Sequence, residues 1–403
     1  MNKKVLFVIN TMGRGGAEVS LVETVRRFAE REDTKVDLLI LTDMGELAGR
    51  LPHNVRILNK KLCESSVLSE DGRKALTKKV LKAAAFHGSG FRNFPYVVKN
   101  LAAMVKKKRI LPDKLTWRIL SDGAPVFDTE YDLAVAYIEG GSTYYVADHV
   151  KAKKKVGFIH IAYNEAGYTR ELDRGCYEKL DRVLTVSDES RVHFLEVYPE
   201  YEDKTFVFHN IINKSLIEQR AAEEGGFTDG YDGYRILTVG RLVYQKAYDI
   251  TIEAMRQIKE AGKKARWYVL GEGDLRSDLE RQIERAGLKE DFILLGVKDN
   301  PYPYYKEADL YAHLTRFEGR SIAIQEAQAL GKPIVASDCS GNREQLVSGE
   351  DGLLIDLSAP VIKDTLCRLM EHPEETEKYA KAAESKQLTF EKDMDFLFEY
   401  IDN

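Results

Sequence analysis

The stretch that decides the fold is residues 4–23, KVLFVINTMGRGGAEVSLVE. It opens with a nearly continuous apolar run, passes through a glycine-rich loop and ends in a segment with apolar residues at helical spacing. A buried strand, a glycine loop and a helix in this order predict the first unit of a parallel sheet covered by helices.

The same alternation continues along the chain. Short apolar runs separated by helix-length polar segments recur at residues 36–41, 133–136, 156–159, 183–186 and 206–208. After an acidic, glycine-rich segment at 223–230 it starts again, with runs at 236–239, 267–270, 292–295, 310–312 and 334–336. This pattern predicts an α/β protein with two doubly wound, Rossmann-like parallel-sheet domains, residues 1–220 and 221–387. Ligands bind at the carboxyl ends of such strands, so we expect the two domains to face a ligand-binding cleft.

Length and composition exclude several classes of protein. The chain has 403 residues, 44% of them hydrophobic and 31% charged, which is too long for one core and too apolar for disorder. It contains no apolar run long enough for a signal peptide or a membrane span. Its four cysteines are scattered without metal-ligand spacing. We expect a cytoplasmic protein with reduced cysteines and no metal.

The charge is unevenly distributed. Residues 1–220 carry 36 Lys and Arg against 30 Asp and Glu, while residues 60–120 alone carry 15 against 4. Within residues 74–109, lysines near helical spacing alternate with apolar side chains, a pattern typical of peripheral docking on an anionic membrane, here the inner face of the plasma membrane. A solvated helical face is the alternative. Aromatic residues do not interleave with these cations, so we expect no nucleic acid partner.

The strongest chemical motif is residues 316–326, RFEGRSIAIQE. Ser321 suits the start of a helix, which places Glu318 in the preceding loop and Glu326 within the helix. Backbone amides of Ser321 and Ile322 would bind a diphosphate, and the two carboxylates would accept hydrogen bonds from sugar hydroxyls. A nucleotide sugar carries both groups.

A second motif follows the first strand of the second half. Arg241 and Lys246 supply two cations just before a helix, as a departing diphosphate requires. Further glycine turns come at the next strand ends, at Gly271 and before Val297–Lys298, where backbone can approach a base or ribose.

These motifs resemble those of the retaining glycosyltransferases of family 4, which have the GT-B fold. The resemblance covers nearly the whole chain and rests on Gly15-Gly16-Ala17-Glu18, His160, Asn210, Arg241 with Lys246, Gly271-Glu272-Gly273, and the glutamates Glu318 and Glu326. Arg320 and Ser321 stand where the family usually has an aromatic residue and often a glycine, and Ala247 stands in place of a glycine. The resemblance implies sugar transfer from a nucleotide donor with retained configuration, without a metal or cofactor, and a C-terminal helix, about 388–403, that returns to the first domain.

The resemblance also implies a role for each site residue. The catalytic set would be Glu318, His160, Arg241 and Lys246. Donor binding would use Arg241, Lys246, Gly271, Val297, Lys298, Glu318, Arg320, Ser321, Ile322 and Glu326, with Glu326 on the ribose and the backbone near Val297 and Lys298 on the base. Gly15 and Gly16 would approach the acceptor or the diphosphate.

We therefore expect a transferase that moves a hexose or N-acetylhexosamine from a nucleoside diphosphate sugar, taken as a UDP-sugar, to a lipid-linked glycan in bacterial polysaccharide or glycoconjugate biosynthesis. The first domain would bind the acceptor and the second the donor. A nucleotide-sugar epimerase of the same architecture and a non-catalytic, membrane-docked partner of a transferase are the alternatives.

Overall fold

The computed structural model describes residues 2–67, 69–106, 108–386, 388 and 391–403. These form two compact units. The first contains the chain up to Ile211 together with the C-terminal helix, and the second begins at Ile212.

The first unit is built on a seven-stranded parallel sheet. Its strands are β1 (Lys3–Ile9), β2 (Thr34–Ile40), β3 (Arg56–Ile57), β4 (Glu130–Ala136), β5 (Lys151–Ile159), β6 (Arg182–Thr185) and β7 (Thr205–Val207). They lie in the order β3-β2-β1-β4-β5-β6-β7. The helices are α1 (Gly16–Ala29), α2 (Glu70–Ala85), α3 (Ser89–Arg92), α4 (Phe94–Lys106), α5 (Pro112–Asp122), α6 (Gly141–His149), α7 (Arg170–Asp173), α8 (Asp188–Val197) and, after the second unit, α17 (Glu391–Asp402).

The second unit repeats this architecture with six parallel strands. They are β8 (Tyr234–Val239), β9 (Ala265–Leu270), β10 (Phe292–Gly296), β11 (Leu310–His313), β12 (Ile334–Ser337) and β13 (Leu353–Ile355), in the order β10-β9-β8-β11-β12-β13. Its helices are α9 (Lys214–Ala221), α10 (Tyr248–Glu260), α11 (Arg276–Arg285), α12 (Tyr302–Glu307), α13 (Ile322–Ala329), α14 (Ser340–Arg343), α15 (Ala359–Glu371) and α16 (Pro373–Glu384).

The first strand shows why continuous apolar runs make these sheets. Val5, Phe7 and Ile9 belong to one buried cluster, while Leu6 and Val8 belong to another. Successive side chains of a strand point to opposite faces, so a strand covered by helices on both faces must be apolar throughout.

The unit boundary lies earlier than the expected residue 221, because α9 packs on α12 and α13. Ile217 and Ala221 are buried in this contact. The Asn300 side chain also donates a hydrogen bond of 2.7 Å to the Arg220 carbonyl. The acidic segment 223–230, which has the composition of a linker, is a surface loop of the second unit. The expected end of the second domain, residue 387, and the expected start of the C-terminal helix, about residue 388, lie at or next to residues 387, 389 and 390, which are outside the described ones.

The C-terminal helix α17 packs on the first unit. Met394, Leu397 and Ile401 are buried in the same cluster as alternate residues of β1. Asp393 accepts hydrogen bonds of 2.8 Å from both the backbone amide and the ring Nδ1 of His209. The last helix is therefore part of the core of the unit in which the chain begins.

In the described part of the chain, no helix combines the length and the apolar character that crossing a bilayer requires.

Shortening Leu397 should destabilise the first unit. Leu397 is fully buried, and Leu→Ala at such sites costs about 2–5 kcal/mol of unfolding free energy. We expect Leu397→Ala to lower the urea midpoint of the first unit, measured by circular dichroism. The control is Lys392→Ala, an exposed position of the same helix, and equal midpoints in the two variants would contradict the prediction.

Candidate functional site

A buried polar group of the second unit lies at the carboxyl ends of two neighbouring strands. Lys246 closes a short turn after β8, and Glu318 lies in the loop after β11. Lys246 Nζ forms an ion pair with Glu318 Oε2, and these side chains are only 13% and 15% exposed. His313, the last residue of β11, places its Nε2 3.1 Å from the same carboxylate oxygen.

The electrostatics of this group fix its protonation. Burial alone would raise the pKa of Glu318, but Lys246 and His313 outweigh it and hold that pKa well below its ordinary value. Burial and the Lys246 charge lower the pKa of His313. A neutral His313 beside an ionised Glu318 carries its proton on Nε2, so its Nδ1 accepts from the Tyr311 hydroxyl at 3.0 Å.

The loops that carry Lys246 and Glu318 are tied to each other. The Gln245 side-chain amide donates to the Phe317 carbonyl at 2.8 Å, and the Arg316 amide donates to the Gln245 carbonyl at 2.8 Å. The Arg316 guanidinium donates to the Tyr244 carbonyl at 2.6 Å and to Asp249 at 2.7 Å. The ammonium and the carboxylate are therefore held in position without a ligand.

Arg241 lies in the loop between β8 and this turn. Its side chain is exposed and, among the described residues, takes part in no ion pair. Two backbone hydrogen bonds fix the loop to the end of β9, from Gly240 to Leu270 at 2.9 Å and from Leu242 to Glu272 at 3.0 Å. The arrangement leaves one cation free for a ligand beside one that is already paired.

Gly271, which follows β9, allows the loop after β8 to approach the end of that strand. A Cβ atom at Gly271 would lie 2.0 Å from the Gly240 carbonyl oxygen. Its first role in the structure is thus to let two strand ends meet, whereas the sequence indicated an approach to a base or ribose.

Glu326 lies inside α13 and is 8% exposed. The Tyr302 hydroxyl donates to its Oε1 at 3.0 Å, and the Tyr305 hydroxyl donates to its Oε2 at 3.3 Å. Each carboxylate oxygen thus has a tyrosine donor that orients it.

The start of α13 differs from the expectation. The Ser321 amide is not free, because it donates to the Gln345 side-chain oxygen at 2.7 Å, and Gln345 Nε2 donates back to the Ser321 carbonyl at 2.8 Å. Among the described residues, the Ile322 amide has no acceptor. Arg320 is turned inward, with its side chain 9% exposed and its Nη1 3.9 Å from Glu344.

Val297 and Lys298 follow β10, which is separated from β8 by β9. Val297 is 44% exposed. Lys298 Nζ lies 5.8 Å from the centre of the Tyr304 ring. Neither residue hydrogen-bonds to the group formed by Lys246, Glu318 and His313 in any contact that the structure describes.

The remaining predicted residues belong to the first unit. His160 follows β5, and its ring packs beside those of Tyr137 and Phe158, at centroid distances of 5.4 and 5.9 Å. Its backbone amide donates to the buried carboxylate of Glu139 at 3.0 Å. Burial lowers the pKa of His160 to about 4. Its Nε2 is buried and has no hydrogen-bond partner among the described residues.

Gly15 and Gly16 lie at the start of α1, where Gly15 is the N-cap and Gly16 the first helical residue. A Cβ atom at Gly15 would lie 2.4 Å from the Glu18 carboxylate. Thr11 donates a hydrogen bond of 3.3 Å to the same carboxylate. Glu18 thus folds back over the glycine loop at the end of β1.

Several residues of the site were missed by the sequence interpretation. They are His313, Tyr302, Tyr305, Gln345, Gly341 and, in the first unit, Glu139. The spacing of the two tyrosines on one helix face and a histidine at a strand end are weak sequence signals. Nothing local marks Gly341, although a Cβ atom there would lie 1.9 Å from the Gly319 carbonyl oxygen and 2.3 Å from that of Glu318.

Metal ligands do not accumulate around these residues. Within the described ranges, no group of three or more His, Cys, Asp or Glu side chains is arranged to hold a metal ion.

Part of the sequence resembles known glycosyltransferases. Residues 230–386 match the family model described as Glycosyl transferases group 1. The chain is 30% identical over 220 residues to N-acetylgalactosamine-N,N'-diacetylbacillosaminyl-diphospho-undecaprenol 4-alpha-N-acetylgalactosaminyltransferase of Campylobacter jejuni, covering 54% of this chain and 58% of that protein. It is 28% identical over 199 residues to the lipopolysaccharide core biosynthesis mannosyltransferase LpcC of Rhizobium leguminosarum, covering 47% and 53%. The chain thus spans about half the length of these curated relatives.

Solved structures resemble the chain over its full length. HepE from Anabaena, crystallised with UDP and glucose, has a TM-score of 0.70 at 18% identity and covers 100% of both chains. TarM from S. aureus, in a complex that includes UDP, has a TM-score of 0.69 at 12% identity and also covers 100% of both. With the two parallel-sheet units described above, these likenesses confirm the predicted GT-B fold.

Adding one methyl group at Gly341 should disturb the Glu318 loop. The new Cβ atom would overlap two backbone carbonyls, and forced overpacking of this kind costs about 1–3 kcal/mol. We expect Gly341→Ala to lower the melting temperature and to speed hydrogen exchange at residues 316–321. In the control, Gly49→Ala, the new atom meets nothing within 4 Å. Unchanged exchange in Gly341→Ala would contradict the packing described here.

Removing the cation of the buried pair should destabilise the second unit. Lys246→Met leaves Glu318 charged and without its main partner, a loss on the order of 3 kcal/mol of unfolding free energy for a buried pair. In Lys246→Met with Glu318→Gln no charge is left unpaired, so we expect this double variant to recover part of the loss in urea denaturation.

The effect of Lys246→Met should also depend on pH. The wild-type pKa of Glu318 lies below its ordinary value of 4.5, so the stability it contributes is present above that pH and is lost as pH falls. The stability gap between wild type and Lys246→Met should therefore be large near neutral pH and shrink near pH 4. A gap that stays constant over this range would show that Lys246 does not act through the Glu318 charge.

Proposed function

We propose that this protein is a retaining glycosyltransferase that transfers a hexose or N-acetylhexosamine from a nucleoside diphosphate sugar, with UDP as the nucleotide. The acceptor is a glycan, lipid-linked, in bacterial polysaccharide or glycoconjugate biosynthesis. The observation that carries the proposal is the buried ion pair of Lys246 with the ionised Glu318 at the ends of β8 and β11, in the same strand-end loop region as the exposed cation Arg241. These residues lie within the region that matches the family model.

The two cations suit a diphosphate leaving group. Arg241 is exposed and can clamp two oxygens, while Lys246 is a point charge held in place by Glu318. Negative charge builds on the diphosphate as its bond to the sugar breaks, and fixed cations stabilise that charge most in the transition state. A diphosphate oxygen on the same face of the sugar can then take the proton of the incoming hydroxyl. This front-face displacement needs no nucleophile from the protein and no metal.

The glutamates suit the sugar groups of the donor. An ionised carboxylate accepts hydrogen bonds and repels phosphate, so Glu318 and Glu326 fit hydroxyl groups. The low pKa of Glu318 keeps it an acceptor throughout the physiological range. Glu326, contacted by the Tyr302 and Tyr305 hydroxyls, is an acceptor of the kind that a ribose diol requires.

His160 is suited to hydrogen-bond with an uncharged group of the substrate. With its pKa lowered to about 4, its ring is uncharged at neutral pH, and a buried neutral imidazole suits a sugar hydroxyl better than a phosphate. The names of similar proteins support the remaining details. The Campylobacter relative is named for an acceptor linked to diphospho-undecaprenol, and the HepE and TarM complexes contain UDP.

Nucleotide binding tests the donor site. UDP should raise the melting temperature of the protein more than GDP, ADP or NAD, because a ligand that binds only the folded state stabilises it. Arg241→Ala should abolish the shift, while Arg281→Ala, which removes an exposed arginine of α11, should keep it. A lack of any shift with all four nucleotides would contradict the proposal and favour a non-catalytic partner of a transferase.

Turnover tests the chemistry. Arg241→Ala should reduce sugar transfer from UDP-sugars by roughly 10² or more, as for the loss of one preorganised charge-stabilising group. NMR of the product should show the anomeric configuration of the donor. An acceptor-independent change in the sugar of the nucleotide would identify an epimerase instead.

A further inference from the structure

The helical segment of the first unit around α3 and α4 exposes an unusual row of apolar side chains. We define the apolar stripe as Phe91, Phe94, Val98, Leu101, Val105 and Ile110, whose exposed fractions range from 39% to 88%. Scattered apolar residues are normal on protein surfaces, but a contiguous apolar patch marks an interaction site.

The four members of the stripe that lie in α4 share one helix face. Within α4, Phe94, Val98, Leu101 and Val105 recur at intervals of four, three and four residues, so they share one face. The opposite face is buried, since Tyr96 and Met104 pack in a small cluster with Leu115 and Leu172. α4 is thus anchored by one apolar face and presents a second apolar face to solvent.

Cations border the stripe. Arg92, Lys99, Lys106 and Lys108 are exposed, and the three lysines have no ion-pair partner among the described residues. Lys107 lies outside the described residues. Residues 60–120 carry 15 basic against 4 acidic side chains. The occupant of this surface must therefore be both apolar and anionic.

We infer that α3, α4 and the turn that follows dock on a lipid bilayer containing anionic headgroups. The apolar stripe enters the boundary between headgroups and acyl chains, and the lysines contact the headgroup phosphates. A second copy of this chain fits less well, because it would bring a strongly basic surface against another.

The length of α4 determines how it lies. Its 13 residues span about 20 Å, which is less than the roughly 30 Å of the hydrocarbon core. α4 therefore lies in the plane of the interface. Phe91, with 88% of its surface exposed, projects from the adjoining α3. This docking surface is independent of the proposed sugar transfer and would stand if that proposal failed.

Flotation of the full chain with vesicles tests the apolar stripe. The wild type should bind vesicles of phosphatidylcholine mixed with phosphatidylglycerol and not phosphatidylcholine alone. Phe91→Ser with Phe94→Ser should lower the partition coefficient by about tenfold or more, since each buried phenylalanine contributes at least that factor when fully inserted. The control pair is Val192→Ser with Val347→Ser, at exposures of 54% and 53% outside the stripe. Equal loss in both pairs, or no binding by the wild type, would overturn the inference.

Charge reversal tests the lysines. Each cation near an anionic surface strengthens binding by about fivefold, so Lys99→Glu with Lys106→Glu should weaken it at least tenfold at low salt. Lys35→Glu with Lys392→Glu makes the same change in net charge at exposed positions elsewhere in the first unit. If both pairs weaken binding equally, the attraction is a property of the net charge, and the assigned surface is wrong.

Tryptophan fluorescence distinguishes docking on a bilayer from binding to a second copy of the chain. Phe91→Trp should shift its emission to the blue on anionic vesicles and be quenched by brominated lipid. Unchanged emission would overturn the inference. A concentration-dependent dimer in ultracentrifugation without lipid, lost in Phe91→Ser, would assign the stripe to a second copy instead.

Discussion

The ion pair between Lys246 and Glu318 is the interaction on which the site of the second unit depends. It joins the loop after β8 to the loop after β11 where water reaches little of either side chain. Removing a charge from water is costly unless a partner and further hydrogen bonds offset it. His313 supplies that further hydrogen bond, and it is itself held by Tyr311.

The same pair explains why the surrounding backbone is so closely packed. A carboxylate on a flexible loop could pair with Lys246 from many positions. The Glu318 loop is held in one position, because Gly341 packs directly against the backbone of Glu318 and Gly319. On the other side, Gly271 allows the end of β9 to hold the loop that carries Arg241. Rigid placement matters for charge stabilisation, because a group that must move into position spends part of its interaction energy on reorganisation.

The sequence predicts the fold well because helices cover both faces of these sheets. Strands such as β1 must then be apolar throughout, which makes them visible as continuous runs. β3, with only two residues, lies at a sheet edge and leaves no such run. The predicted boundary between the two units, at residues 220 and 221, lies too late in the chain, because composition does not show how a helix packs. A flexible composition at 223–230 indicates a loop, but only tertiary packing shows that α9, which precedes it, belongs to the second unit.

The sequence points to parts of the candidate site only where a motif carries its own chemistry. Arg241, Lys246, Glu318 and Glu326 are charged residues at strand ends or helix starts, so their positions follow from the strand pattern. Gln345 is different, because it lies 24 residues after Ser321 and accepts a hydrogen bond from the Ser321 amide, which the helix terminus would otherwise offer to an anion. A free amide therefore cannot be inferred from a helix start alone. In the proposed function the diphosphate is therefore held mainly by side-chain cations, of which Arg241 is exposed and Lys246 is paired with Glu318. A pre-paired lysine can be released only by a ligand that competes with a carboxylate for its charge, and a diphosphate, which carries more than one negative charge, meets that condition.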